Sequence, residues 1–170
     1  MKEITLKEPD EISAYFRGKI IQEVIEVELR IDVCIGRFFS TKEIDKVIDV
    51  IKMFDVSQGM LHTKQLYLSY ILNSYYPQIL EQFPNFFTQL EEVISIRNRV
   101  AHKRYDINNR DFSKLQWHGF NRSKKVNAKE YIIEEKEVKR VLNICSELYV
   151  ALIYLDVEIT NKWKNKGEKN

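Results

Sequence analysis

Residues 12–39 read ISAYFRGKIIQEVIEVELRIDVCIGRFF, and this stretch decides the fold because it has no proline and only two glycines. Its apolar residues recur every three or four positions, which is the spacing of one helix face. Residues 25–35 also alternate between apolar and polar and are rich in β-branched residues, which favours a strand. The length of the uninterrupted stretch favours the helix, so we predict one long helix here. The apolar face of this helix consists of Phe16, Ile20, Val24, Val27, Ile31, Cys34 and Phe38.

Four further helices are predicted from caps, apolar spacing and prolines. Ser40–Glu43 reads as a capping box that opens a second helix, which runs to about residue 53. A third helix begins at Thr63 and ends before Pro77, a fourth spans 84–102, and the last begins near Glu135. The inner side of the third helix is predicted to consist of Leu66, Tyr67, Tyr70, Ile71 and Ser74.

Residues 107–133 lose the helical spacing and predict a small β-hairpin or an irregular insertion before the last helix. Nothing in the sequence suggests an internal repeat or a linker. We therefore expect a single domain over residues 1–170, with an all-α bundle of four to five helices and this insertion.

The positive charge is concentrated in one part of the chain. The 170 residues carry a net charge of only +2. Residues 97–129, here called the basic segment, contain ten Lys or Arg and two Asp, so that the rest of the chain must be acidic. The basic segment also contains Tyr105, Trp117 and Phe120. Basic and aromatic residues together are typical of surfaces that bind single-stranded nucleic acid.

The basic segment begins inside the fourth helix, within SIRNRVAHKRYD at residues 95–106. The predicted apolar stripe of this helix runs 86, 90, 93, 97 and 100, so Arg97 stands where an apolar residue is expected. Asn98 and His102 are four residues apart and share a helix face. The remaining cations, Arg99, Lys103 and Arg104, are explained by the negative end of the helix dipole alone.

Arginine, asparagine and histidine suit the cleavage of RNA without a metal. Arginine grips a phosphate with two parallel hydrogen bonds and remains charged. Histidine titrates near neutrality and can move a proton. Asparagine can orient the imidazole or the sugar. This chemistry makes Arg97, Asn98 and His102 the candidate catalytic residues.

The hexapeptide RNRVAH, residues 97–102, resembles the motif of HEPN domains, in which Arg, a polar residue, three further positions and His lie near the end of a helix. The longer stretch LEEVISIRNRVAH, residues 90–102, is similar to the HEPN motif helix. As in that family, amphipathic helices precede it, and a variable segment and a closing helix follow it.

This resemblance implies a homodimer in which two motif helices face each other and form one composite cleft. Many HEPN proteins are metal-independent endoribonucleases of toxin–antitoxin, abortive-infection and other antiviral defence systems. By analogy, Arg97 would bind the scissile phosphate, His102 would be the general acid and base, and Asn98 would support them. Other members are inactive binding or dimerisation modules. A cognate antitoxin or a nucleotidyltransferase is therefore an expected partner.

Other residues enter as supporting candidates. We expect RNA to contact Arg99, Lys103, Arg104, Trp117, Arg122, Lys124 and Lys125. Glu26, Glu28 and Asp32 are candidate partners for Arg97. Cys34 and Cys145 stand among apolar neighbours, which predicts buried, reduced thiols. We expect no metal, no cofactor, no secretory leader and no membrane span, and therefore a cytoplasmic protein.

Overall fold

The structure of the chain is a computed structural model. It describes residues 9–40, 47–49, 51–52, 61–102, 104–105, 114–119 and 129–167. Among these, only the backbone is described for residues 9–13, 61–62, 102, 104–105, 114–119, 129–134 and 163–167.

The described chain is predominantly helical, which confirms the predicted all-α class. In chain order its elements are α1 (Pro9–Ser40), α2 (Leu61–Tyr75), α3 (Pro77–Gln82), α4 (Phe86–His102), β1 (Arg104–Tyr105), β2 (Lys114–Gly119), β3 (Lys129–Glu134) and α5 (Glu135–Gly167). Residues 47–49 and 51–52 are also helical. Residues 25–35 lie inside α1, so the helix prediction is confirmed there and the strand alternative is wrong.

The chain divides into two compact units. The motif unit comprises residues 1–24 and 91–145, and the bundle unit comprises residues 25–90 and 146–170. Helices α1, α4 and α5 contribute residues to both units. The prediction of a single domain stays a prediction.

In the bundle unit, α1 and α5 pack side by side and run in the same direction. Arg30 contacts Tyr149, the Cys34 Sγ donates to the Leu152 carbonyl, and Arg37 contacts Asp156. These three pairs are separated by 119, 118 and 119 residues, which only a parallel pairing produces. The core of this unit is built from Val27, Ile31, Ile35, Leu68, Ile71, Leu72, Phe86, Leu90, Leu148, Leu152, Leu155 and Ile159.

Helix α2 presents a different face to the core from the one predicted. Ile71 is buried as expected, but Leu66, Tyr67 and Tyr70 are largely exposed. The side chains of α2 that are buried instead are those of Lys64, Leu68 and Leu72. The prediction failed because several tyrosines made the outer face look apolar, whereas the buried face contains a lysine.

Lys64 joins α2 to α1 through an ion cluster inside the bundle unit. Its Nζ donates to the Asp32 carboxylate at 2.8 Å and to the Glu28 carboxylate at 3.2 Å. The exposed fractions of Lys64 and Asp32 are only 4% and 3%. The pairing explains how a lysine is tolerated there, since a buried charge requires a partner.

The end of α1 differs from the predicted capping box. Ser40 is the last residue of α1, and its hydroxyl donates to the Gly36 carbonyl four residues earlier. Ser40 was predicted to open a second helix, whereas it closes the first one on its own backbone. The other members of the predicted box, residues 41–43, lie outside the described residues.

The motif unit contains a three-stranded antiparallel sheet in the order β1-β2-β3. Of the two interpretations of residues 107–133, the structure contains the strands. Arg104 is paired with His118, and Tyr105 with Trp117. Trp117 is paired in turn with Tyr131.

Candidate nucleic-acid interface

The buried face of α4 determines where the motif residues lie. Its buried residues are Phe86, Leu90, Val93, Ile96 and Val100. The core position between Val93 and Val100 therefore belongs to Ile96, whose exposed fraction is 1%, and not to Arg97. The prediction that Arg97 interrupts the apolar stripe is wrong. Residue 96 follows Val93 by three positions and residue 97 follows it by four, so helical spacing allows either, and the core takes the apolar one.

Arg97 and Asn98 lie on the accessible side of α4. Arg97 is half-buried and Asn98 is exposed. The Arg97 Nη1 donates to the Asn98 Oδ1 at 3.2 Å. This contact uses one of the five N–H donors of the Arg97 guanidinium. The arrangement presents a fixed positive charge and an amide next to each other, one turn before the helix ends.

Arg140 joins α4 to α5 within the motif unit. It pairs with Glu92 of α4 and with Glu137 of α5. The hydrogen bond from Arg140 lowers the pKa of Glu137, and the charges of Arg140 and Arg99 act in the same direction. This ion pairing holds α4 one to two turns before Arg97, so it is a positioning feature of the motif helix.

Arg99 interacts with neighbouring residues of the motif unit. Its Nε donates to the Ser95 carbonyl at 3.4 Å, and its charge acts on Glu137. The Ser95 carbonyl lies inside α4 and not among its last four carbonyls, so this contact differs from the one that the helix-end interpretation expects of a cation here. The predicted role of Arg99 in binding RNA stays a prediction.

His102 is the last residue of α4, and strand β1 begins two residues later. The register then brings the position of His118 next to that of Arg104. A second histidine position thus lies near the end of the motif helix. Sequence reasoning gave His118 no role, since 16 residues separate it from His102 along the chain. Only the pairing of β1 with β2 relates the two.

The remaining candidate residues fall into two groups. Trp117 lies in β2, where the register puts it between Tyr105 and Tyr131. Lys103, Arg122, Lys124 and Lys125 lie outside the described residues. Of the expected partners of Arg97, Glu28 and Asp32 instead form ion pairs with Lys64.

Neither cysteine has the character of a reactive thiol. Cys34 and Cys145 are free and buried, which confirms that prediction. Burial raises the pKa of the Cys34 thiol, and it raises the pKa of the Cys145 thiol to about 12. A thiolate is the nucleophilic form, and both groups remain protonated at neutral pH.

Two features are absent from the described residues. Among them, no group of three His, Cys, Asp or Glu could hold a metal ion. In that same part of the chain, no helix has the length and apolar character needed to cross a membrane. Comparisons with protein-family models, with curated proteins and with solved structures find no match for the chain.

Proposed function

We propose that the chain is a HEPN-type endoribonuclease that cleaves RNA without a metal and acts as a homodimer in a toxin–antitoxin or phage-defence setting. Arg97, Asn98 and His102 are its catalytic residues. The part of the basic segment that follows the motif holds the RNA. A cognate antitoxin or a nucleotidyltransferase is the proposed protein partner.

The proposed reaction is an attack of the RNA on itself. An imidazole of His102 takes the proton of the 2′-hydroxyl, and the oxygen attacks the adjacent phosphorus. The bond from phosphorus to the 5′-oxygen breaks, and a protonated imidazole gives that oxygen a proton. Arg97 stabilises the negative charge that develops on the phosphate. The products are a 2′,3′-cyclic phosphate and a 5′-hydroxyl.

The observation that carries the proposal is the position of the motif on α4. The Arg97 guanidinium and the Asn98 amide are accessible, they are hydrogen bonded at 3.2 Å, and they precede the helix end at His102 by one turn. A cation and a proton-transfer group within one turn of the same helix are the minimum that this chemistry requires. The rest of the basic segment, after His102, supplies charge for the RNA backbone.

The reaction class is tested with a defined RNA in EDTA. We expect cleavage that yields a 2′,3′-cyclic phosphate, identified by mass spectrometry. A single 2′-deoxy substitution at the cleaved nucleotide should abolish cleavage there, since the attacking hydroxyl is gone. Products that end in a 3′-hydroxyl, or cleavage that survives the deoxy substitution, would contradict the proposed reaction.

A second candidate function is a catalytically inactive HEPN module that binds nucleotide, RNA or a partner protein. The observation that favours it is the occupation of the core position by Ile96. Arg97 then needs no special role to explain its place on α4. This alternative predicts RNA binding or dimerisation with no cleavage in any buffer.

A further inference from the structure

The parallel contact of α1 with α5 in the bundle unit carries a row of charged and polar side chains. We call this row the arginine seam: Arg30 and Arg37 on α1, and Tyr149 and Asp156 on α5. Arg37 Nη1 donates to Asp156 Oδ1 at 2.7 Å, and Arg30 Nη1 lies 3.6 Å from Asp156 Oδ2. Arg30 Nη2 donates to the Tyr149 hydroxyl at 2.8 Å.

The arginine seam carries an excess of positive charge that solvent can reach. Within the described part of the bundle unit, the two guanidinium groups share one carboxylate. Their side chains are 27% and 39% exposed, whereas that of Asp156 is 12% exposed. Two guanidinium groups carry ten N–H donors, which exceeds what one carboxylate and one phenol oxygen can accept. An incoming anion therefore finds free donors there.

Exposed apolar residues lie on both sides of the arginine seam. On α5, Val150, Ile153 and Val157 are all exposed, and Val157 is 50% exposed. Ile153 lies four residues after Tyr149 and three before Asp156, so it adjoins both on the helix surface. On α1, Leu29 is 52% exposed and directly precedes Arg30. Neighbouring exposed apolar side chains such as these can supply the apolar part of a protein interface.

The spacing of these residues identifies the shape of the ligand. Arg30 and Arg37 are seven residues apart, and so are Val150 and Val157. Seven residues are two helical turns, or about 10.5 Å. A helix that lies along the arginine seam with acids seven residues apart meets both guanidinium groups. Its apolar residues, three and four positions after each acid, meet the apolar side chains.

We infer that the arginine seam is a docking site for an acidic amphipathic helix of a different protein. A second copy of this chain fits less well. A two-fold contact centred on the arginine seam would place the arginine pair of one copy against that of the other, and like charges repel at that distance. The charge of the two arginines attracts an acidic partner, whereas it repels a second copy of the seam. This inference does not depend on the proposed ribonuclease activity.

The test uses the full chain and two synthetic 21-residue helical peptides, measured by fluorescence anisotropy. One peptide carries Glu every seven residues with Leu three and four positions after each Glu, and the other has Lys in place of Glu. We expect wild type to bind the Glu peptide at least about tenfold more tightly than the Lys peptide. Arg37→Glu should reverse this preference. Because an unfolded variant would show no preference, the reversal also establishes that Arg37→Glu is folded.

Two further variants complete the test. Lys52→Glu changes the charge of an exposed lysine that is not part of the arginine seam, and the preference for the Glu peptide should persist. Val157→Asp should weaken the binding of the Glu peptide by about fivefold or more.

Four results would overturn the inference. The first is equal binding of the two peptides by wild type, and the second is an unchanged preference in Arg37→Glu. The third is that wild type binds a Glu peptide with Ser in place of Leu as tightly as it binds the original Glu peptide. The fourth is a wild-type dimer, seen in sedimentation, that Val157→Asp dissociates. The third result would show that the arginine seam binds only an anion, and the fourth would show that a second copy of the chain occupies it.

Discussion

At the scale of single residues, two adjacent positions of α4 differ in their roles: one packs in the core, and the other carries an accessible charge. Ile96 is buried in the core, while Arg97 is half-buried and donates to Asn98. The apolar pattern alone allows either residue at the core position, because 96 and 97 follow Val93 by three and four positions, and both are helical spacings. The charge of Arg97 is therefore available for function without a cost in buried charge.

Substitution of these two residues should have unequal effects on stability. Ile96→Ala should lower the free energy of unfolding by about 2–5 kcal/mol, because it leaves a cavity in a packed core. Arg97→Ala should change it by about 0.5 kcal/mol or less. Urea denaturation followed by circular dichroism measures both. A larger loss in Arg97→Ala than in Ile96→Ala would contradict the placement of these side chains.

Because of Lys64, we expect the stability of the bundle unit to depend on pH. Burial lowers the pKa of Lys64, but the hydrogen bonds and charges of Asp32 and Glu28 outweigh it and raise the pKa above the ordinary 10.5. A group whose folded pKa is raised stabilises the fold fully below its unfolded pKa. That contribution is lost as the pH rises through the folded value.

The pH prediction compares wild type with Lys64→Met. At pH 7 the variant should lose about 3–5 kcal/mol of unfolding free energy, because Asp32 keeps a buried charge without this cation. The difference between the two proteins should shrink as the pH rises above 10.5. Urea denaturation at a series of pH values measures it. A difference that is constant or grows with pH would show that Lys64 does not stabilise the fold through its charge.

At the scale of secondary-structure elements, the two glycines inside α1 have different reasons to be there. A Cβ on Gly36 would lie 3.1 Å from the Val47 Cγ1 and 3.2 Å from the Val47 carbonyl oxygen. The absence of a side chain thus allows the short helical segment that contains Val47 to approach α1. A Cβ on Gly18 would meet nothing within 4 Å.

The two glycines form a matched pair of variants in one helix. Gly36→Ala should destabilise the protein by about 1–3 kcal/mol, since it overpacks the contact with Val47. Gly18→Ala should stabilise it by about 0.5–1 kcal/mol, because alanine is the better helix former. Thermal unfolding measures the two midpoints. Equal shifts for both variants would mean that Gly36 makes no close contact.

The elements themselves were largely predictable, and their long-range contacts were not. The length of the stretch that became α1 outweighed the alternation of residues 25–35, and the apolar face from Ile20 to Cys34 is buried as predicted. Apolar spacing also located α4 and α5. It missed α3, a six-residue helix with proline in its first turn, because so short an element shows no period.

The same limit applies to the candidate site. The motif could be located from the sequence, since three residue types within six positions carry its chemistry. The pairing of Lys64 with Asp32, 32 residues away, has no sequence signal, and neither does the pairing of Arg104 with His118. Such contacts depend on how elements pack, which local periodicity does not encode.

At the scale of the whole molecule, charge is segregated along the chain. The net charge of +2 combines the basic segment with an acidic remainder. The proposed function assigns RNA to the basic segment, while the arginine seam is a separate basic surface inside the acidic remainder. The two proposed ligands differ in chemistry, a polyanionic backbone for the basic segment and an acidic amphipathic helix for the arginine seam.

The most direct test of the proposed function is RNA cleavage in EDTA by wild type, His102→Ala and the control His62→Ala. Circular dichroism establishes that each variant is folded. We predict that wild type and His62→Ala cleave alike, whereas His102→Ala loses at least about 100-fold in rate, the contribution typical of a general acid or base. Cleavage by His102→Ala at the wild-type rate would contradict the catalytic assignment, and no cleavage by wild type would leave the inactive binding module as the better account.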